Sequence, residues 1–338
     1  MTHPTATRLW FLLALLLHPI VAARADDYAR EPYGIGLEGF AYPYPVRMLD
    51  LVNDGEPVRM AYMDVAPASP NGRTVLLLHG RNFPSSYWAP VINTLTAAGY
   101  RVVVPDQVGF GKSSKPRGEL HFDTLAHNTL ALLDHLDLSE VDIVAHSLGG
   151  MLAVRITRVA PDRVRHLLLA APIGLEDYRL YVAPTPTEKL MESEDRLTAE
   201  AYRKQLVSNY SLTLPPDAIT PFIDARFNIK GAADYPRWLA AFVSSGQMVY
   251  REPVAHEIAL IARPTLFVMG ENDHNAPGRA SAPEELRPKM GHNADLARAH
   301  AARMANARVE VLPGVGHLVF LEAPEKFDAA MLAFLATP

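Results

Sequence analysis

The rhythm of hydrophobic and polar positions changes three times along this chain. Two strand-like pieces come first, "VRMLDLV" (46–52) and "VRMAYMDV" (58–65). They are joined by "NDGEP", in which Asp54-Gly55 is a hairpin signal. From Thr74 onward, short unbroken apolar runs take turns with helical stretches. "TVLLLH" (74–79), "YRVVVPD" (100–106), "VDIVAH" (141–146) and "VRHLLLAAP" (164–172) read as strands covered on both faces. Between them, "YWAPVINTLTAAG" (87–99), "FDTLAHNTLALLDHLD" (122–137) and "GGMLAVRITRVAP" (149–161) carry helical periodicity, the first stopped by Gly99. Such alternation predicts an α/β class with a mostly parallel sheet and right-handed crossovers. The two early strands would be its antiparallel edge.

The alternation then lapses. Residues 174–253 lack a clear buried strand but hold helical candidates: "TEKLMESEDRL", "TAEAYRKQLVSN" and "YPRWLAAFVSSGQM". At "RPTLFVMG" (263–270) the strand pattern resumes, followed by "ARVEVLPG" (307–314) and a closing helix, "PEKFDAAMLAFLA" (324–336). The expected organisation is therefore a core in two parts, 46–173 and 254–338, with a helical insertion at 174–253 lying over one end of the sheet. Ahead of it, residues 26–45 form a Tyr-, Gly- and Pro-rich lead-in. It is expected to run over the surface without regular structure and to brace the sheet's edge.

The first 25 residues are a separate object. Arg8 precedes the apolar run "LWFLLALLL", and "VAARA" ends in an A-x-A pattern at Ala23, Arg24 and Ala25. That layout predicts a secretory signal peptide cleaved after Ala25, and so an exported protein, periplasmic or secreted. The alternative, an uncleaved anchor, is disfavoured because His18 and Pro19 interrupt a run already short for a bilayer. No stable membrane insertion of the mature chain is expected.

Composition narrows the chemistry. Of 338 residues 49% are hydrophobic and 20% charged, with a formal net charge of −5, which is ordinary globular composition and argues against nucleic-acid binding. The absence of cysteine removes disulfides and thiolate metal sites. "NDHN" and His292 do not match a known ligand spacing, so neither a metal nor another cofactor is implied.

In a parallel sheet, active sites gather beyond the carboxyl ends of the strands. Four motifs fall there: "HGRNF", "AHSLGG", "GENDHN" and "GVGHL". They present Ser147, Asp273 and His317 in that order. An attacking hydroxyl needs an imidazole to take its proton. The imidazole needs a carboxylate to fix its tautomer. The developing oxyanion needs preorganised N–H donors. The backbone amide of Leu148 is the expected first donor and that of Arg81 the second, with Asn82 as the alternative.

With "LLLHG", "PDQVGFGKSS", "VAHSLGGM", "LFVMGENDHNAPG" and "LPGVGHLVFLEAPEKF" in place, the chain resembles the α/β-hydrolases over residues 45–338. The resemblance implies an α/β-hydrolase fold, a mostly parallel central sheet flanked by helices with a helical cap insertion, and a triad in the order Ser, Asp, His. One departure stands out: Ala145 replaces the first glycine of the G-x-S-x-G elbow.

Each residue has a plainer reading. Ser147 could be a helix N-cap, and His317 a loop histidine among 13. Asp273 competes with Glu271, and with Glu176 and Asp177 at the end of the "VRHLLLAAP" strand. Asp106, with Gly109 and Gly111, reads as a loop former, His146 as packing beside the elbow, and His79 as an orienter of the oxyanion loop. Trp238, Phe242 and Met248 read first as helical core, with a few insertion side chains left to face the pocket.

A serine nucleophile implies acyl transfer to a small-molecule ester-like substrate. The dehalogenases and epoxide hydrolases that share this fold attack with aspartate, since a seryl ether would be a dead end. The leading expectation is therefore an esterase or lactonase. The alternatives are a carbon–carbon bond hydrolase or perhydrolase of the same fold, and a non-catalytic small-molecule receptor.

Overall fold

The computed structural model describes Met1 and residues 33–337. The expected signal peptide, apart from Met1, and the first part of the lead-in lie outside the described residues. Eight strands make one sheet: β1 (Val46–Asn53), β2 (Glu56–Val65), β3 (Thr74–Leu78), β4 (Arg101–Pro105), β5 (Val141–His146), β6 (Val164–Ala170), β7 (Thr265–Gly270) and β8 (Ala307–Leu312). Their order is β1-β2-β4-β3-β5-β6-β7-β8. β1 pairs antiparallel with β2, and β2 with β4. Every other pairing is parallel.

The burial of each strand follows its place. All residues of the central strands β3, β5 and β7 are buried, as their unbroken apolar runs require. Strands β1 and β8, at the two edges, alternate between more and less exposed positions. Successive β5 side chains go to opposite faces: Ile143 and Ala145 to one apolar layer, Val144 to the other.

The helices are α1 (Ala89–Ala97), α2 (Phe122–His135), α3 (Leu148–Val159), α4 (Thr187–Asp195), α5 (Ala199–Tyr210), α6 (Thr220–Phe227), α7 (Tyr235–Arg251), α8 (Ala255–Ile258), α9 (Asn293–Ala301), α10 (Val319–Glu322) and α11 (Pro324–Leu335). Phe122 and Leu132 of α2 with Met151 and Leu152 of α3 fill one layer. Ile92 and Leu95 of α1 with Phe327 and Met331 of α11 fill the other. Five helices, α4 to α8, stand between β6 and β7, where three were legible in the sequence. None of the described helices is long and apolar enough to cross a membrane.

From the described residues 33–45 no helix or strand is formed, as expected, but the lead-in does more than brace the sheet. Leu37 is buried in a cluster with Ile229, Trp238, Leu239 and Phe242, so this segment packs on α7 and the end of α6. Tyr42 donates to Asp106 Oδ2 at 2.5 Å.

The chain runs from β3 to β4 on one side, then returns to place β5 on β3's other side. That reversal opens a crevice at the carboxyl ends of β3 and β5, where ligands bind in open α/β sheets. The loop after β3 begins at His79, and β5 ends one residue before Ser147.

Candidate active site

Ser147 sits between β5 and α3 with φ 55° and ψ −120°, a conformation costly for any residue but glycine. The surroundings hold it there. Its amide donates to the Ala170 carbonyl at 3.3 Å, and its carbonyl accepts from Gly150 at 2.9 Å and Ile173 at 3.3 Å. The side chain makes no N-cap bond to α3.

Ala145 proves harmless to this turn because it is still regular strand, paired with Leu78 and Leu169 and buried in the core. The close approaches come elsewhere. A Cβ on Gly149 would collide with the Leu78 and His79 carbonyl oxygens, and one on Gly80 would lie 3.1 Å from Ser147 Cβ. Glycine is thus demanded after the serine and across from it, with no such demand two residues before.

The structure brings Ser147, His317 and Asp273 together. His317 Nε2 lies 3.0 Å from Ser147 Oγ, and its Nδ1 lies 2.9 Å from Asp273 Oδ2. All three residues are buried. With Nδ1–H donating to the carboxylate, Nε2 carries the lone pair that can accept the serine proton. Asp273 is oriented in turn by the Asn275 amide, which donates to Oδ1 at 3.0 Å, and Asn275 Nδ2 stands 3.4 Å from His317 Nε2. The competing acids are engaged elsewhere. Glu176 accepts from the Gly291 amide, Asp177 pairs with Arg179, and Glu271 accepts from the Gly314 amide.

The loop after β3 runs beside Ser147. The Gly80 amide is spent on Tyr87 Oη at 2.8 Å. Among the described residues, the fold supplies no acceptor for the backbone amides of Leu148 and Arg81, as oxyanion donors require. Asn82, the alternative, lies one residue further from Gly80, which abuts Ser147.

Two neutral histidines buttress this loop. His79 donates from Nδ1 to the Gly80 carbonyl at 2.7 Å and accepts the Gln107 amide at Nε2. Tyr87 Oη donates to His146 Nδ1 at 3.0 Å, and His146 Nε2 donates to the His317 carbonyl at 3.1 Å. Burial lowers the pKa of both rings, and for His146 the nearby His317 lowers it further. Each histidine therefore keeps one donor and one acceptor nitrogen, as these bonds need. The chain Gly80–Tyr87–His146–His317 links the oxyanion loop to the catalytic-base candidate.

The helical insertion reaches the same groups. Tyr210, the last residue of α5, accepts the His317 amide on its carbonyl at 2.9 Å. Its ring lies 4.4 Å from the imidazole, and its hydroxyl accepts from Asn82 Nδ2. Nothing in the sequence around "VSNYSL" signals this role, since the contacts depend on how α5 ends. Asn275 was closer to legible, two residues after Asp273 in "NDHN".

A small cleft of about 50 Å³ opens beside Arg81 and Asn82, walled by Phe110, Phe222, Trp238 and Phe242. Of the three insertion side chains first read as core, Trp238 and Phe242 do both jobs, while Met248 is entirely buried. Among the described residues no group of three or more His, Asp or Glu side chains is placed to hold a metal ion.

The model of the alpha/beta hydrolase family matches residues 75–330, a span that begins in β3 and ends in α11. The chain belongs to the alpha/beta hydrolase family. Within it, a solved structure of a probable hydrolytic enzyme from Pseudomonas aeruginosa is 38% identical, with a TM-score of 0.87, covering 91% of this chain and 99% of that one. A 2-hydroxy-6-oxononadienedioate/2-hydroxy-6-oxononatrienedioate hydrolase from Paraburkholderia xenovorans is 28% identical over 84% of this chain and 92% of its own length. A haloalkane dehalogenase from Mycolicibacterium paratuberculosis is 36% identical over 132 residues, 38% of this chain. The alignment spans only 43% of that dehalogenase, less than two thirds of its length. Hydrolases of several bond types thus surround this alpha/beta hydrolase.

Proposed function

We propose that this alpha/beta hydrolase cleaves carboxylic esters or lactones through an acyl-enzyme on Ser147. The observation that carries the reading is the 3.0 Å approach of His317 Nε2 to Ser147 Oγ, with Asp273 at 2.9 Å behind it. In this mechanism Oγ attacks the ester carbonyl while Nε2 takes its proton. The oxyanion forms against the Leu148 and Arg81 amides. Collapse expels the alcohol, which leaves with the proton from Nε2. Water then enters, His317 deprotonates it, and the acid is released. The insertion acts as a cap: α5 and α7 frame the site and limit its contact with water.

Serine at position 147 disfavours halide displacement, because attack on an alkyl carbon would leave a stable ether. A carbon–carbon bond hydrolase is the second reading, favoured by the full-length similarity to the dienedioate hydrolase. Against it stands "HGRNF", which has one glycine where a multi-glycine oxyanion loop is typical of that group. The deciding experiment offers the purified protein p-nitrophenyl and methyl esters, lactones and a vinylogous 1,5-diketone. Ester or lactone turnover is expected to dominate. Diketone cleavage well above ester cleavage would hand the assignment to the second reading, and tight binding without turnover would point to a receptor.

We further propose that the protein is exported, on the leader formed by Arg8, the apolar run and Ala23–Ala25. N-terminal sequencing of protein recovered from the periplasm or medium should begin at Asp26. A full-length chain starting at Met1 and retained in the cell would refute processing.

A further inference from the structure

Two guanidinium groups meet beside the cleft with one carboxylate between them. Arg226, on α6, pairs with Glu194 and is almost fully buried. Arg81 has no carboxylate within ion-pair distance among the described residues. Its Nε donates to Ser245 Oγ at 2.9 Å and its Nη2 to the Phe242 carbonyl at 2.8 Å. Both acceptors are neutral, so the site holds an excess positive charge. Arg81 Cζ lies 3.8 Å from the Phe242 ring centroid and Arg226 Cζ 4.0 Å from the same centroid. Aromatic contact attracts a cation but does not neutralise it.

The donors are also under-used. A guanidinium has five N–H groups, and the bonds above occupy two of those on Arg81. Arg226 Nε is buried without a partner. Both arginines line the small cleft. Burial, then repulsion from Arg226, pushes the Arg81 pKa down to about 10, with Glu194 opposing, so the group stays cationic at neutral pH. Arg81 is half-buried, so its free N–H groups face the cleft, where an anionic ligand would supply the missing charge. A purely structural role for Arg81 would need only the Ser245 and Phe242 bonds, which a neutral donor could make.

From this arrangement we infer that the cleft receives a carboxylate of the substrate, with the Arg81 side chain as its charge partner. Resting on the ester-hydrolase reading, the inference makes the substrate class acidic esters, such as half-esters of dicarboxylic acids. A carboxylate is the group that the remaining N–H fork of a guanidinium fits best. It also places two functions on one residue, since the Arg81 main chain would serve the oxyanion while its side chain anchors the acid.

The test compares kcat/KM for monomethyl succinate, glutarate and adipate with the corresponding dimethyl esters, and for O-butyrylglycolate with its methyl ester. At least one charged member should exceed its neutral partner by roughly tenfold or more, the worth of a charge-assisted hydrogen bond. In Arg81→Met, which keeps the backbone amide, that ratio should fall to about one. The ratio is taken within each variant, so a general loss of activity does not move it. Should the variant fail to fold, inhibition of wild-type dimethyl-ester turnover by free glutarate or adipate, and not by their diamides, is the second readout. A wild-type ratio near one, a ratio surviving in Arg81→Met, or equal inhibition by acid and diamide would overturn the inference. Neutral esters that turn over without any charge preference sink only this inference. Failure of every ester, charged and neutral, would sink the ester-hydrolase reading itself.

Discussion

Alanine at position 147 should lower ester turnover by roughly a millionfold, the loss seen when a serine nucleophile is removed from such a triad. In the proposed mechanism the hydroxyl forms the acyl-enzyme, and no other described side chain stands 3.0 Å from His317 Nε2 in its place. The methyl group of alanine fits wherever the serine Cβ does, so the elbow and the cleft should survive. Circular dichroism and the melting temperature check the fold, and labelling with a fluorophosphonate checks the nucleophile. Wild-type protein should carry the adduct on the peptide containing Ser147, and Ser147→Ala should carry none. Activity within about a hundredfold of wild type, or an adduct on another residue, would remove the mechanism.

The second large effect is expected from Asp273→Asn, a drop of about 10⁴-fold in kcat with little change in KM. The side chain would keep its volume, and its carbonyl oxygen could keep the Asn275 amide bond. Its amide would then donate to His317 Nδ1, leaving the hydrogen on Nε2, where it cannot accept from Ser147. The imidazolium formed during attack would also lose its counter-charge. Glu176→Gln provides the control, because that carboxyl accepts from Gly291 and does not reach His317. Its carboxyl pKa is raised by burial, so a neutral amide there replaces a group already drawn toward its neutral form. Near-normal kcat in Asp273→Asn, or a larger loss in Glu176→Gln, would reassign the acid.

Much of the sheet could be read from the chain because its strands are short apolar runs buried on both faces, a pattern local to each segment. That Ser147, Asp273 and His317 come together could be read for a related reason: the chemistry restricts residue type, and the fold restricts those types to strand ends. What could not be read depends on packing between distant segments. Helix α6, "TPFIDARF", is too short to show a periodic face, yet it places Arg226 at the cleft. Helix α9, "NADLARAHA", hides among alanines that suit exposed and buried positions alike. Leu37 gives no sign in its own neighbourhood that it will pack with Trp238, about two hundred positions away. Alanine in place of glycine at position 145 costs the turn little, because that residue is still regular strand. The demand for a missing side chain falls on Gly80 and Gly149 instead, which only the approach of β3 to α3 reveals.

The junction at Tyr210 bears on how such enzymes can diversify. Segments inserted between strands are natural places for a chain to lengthen, shrink or be exchanged, since the sheet does not depend on them. Here, however, the final turn of α5 supplies the carbonyl that receives the His317 amide and the ring that rests against its imidazole. Any transplanted replacement must rebuild both, or His317 loses its seat. A change at the end of α5 would therefore alter the wall of the site and the support of His317 at one stroke.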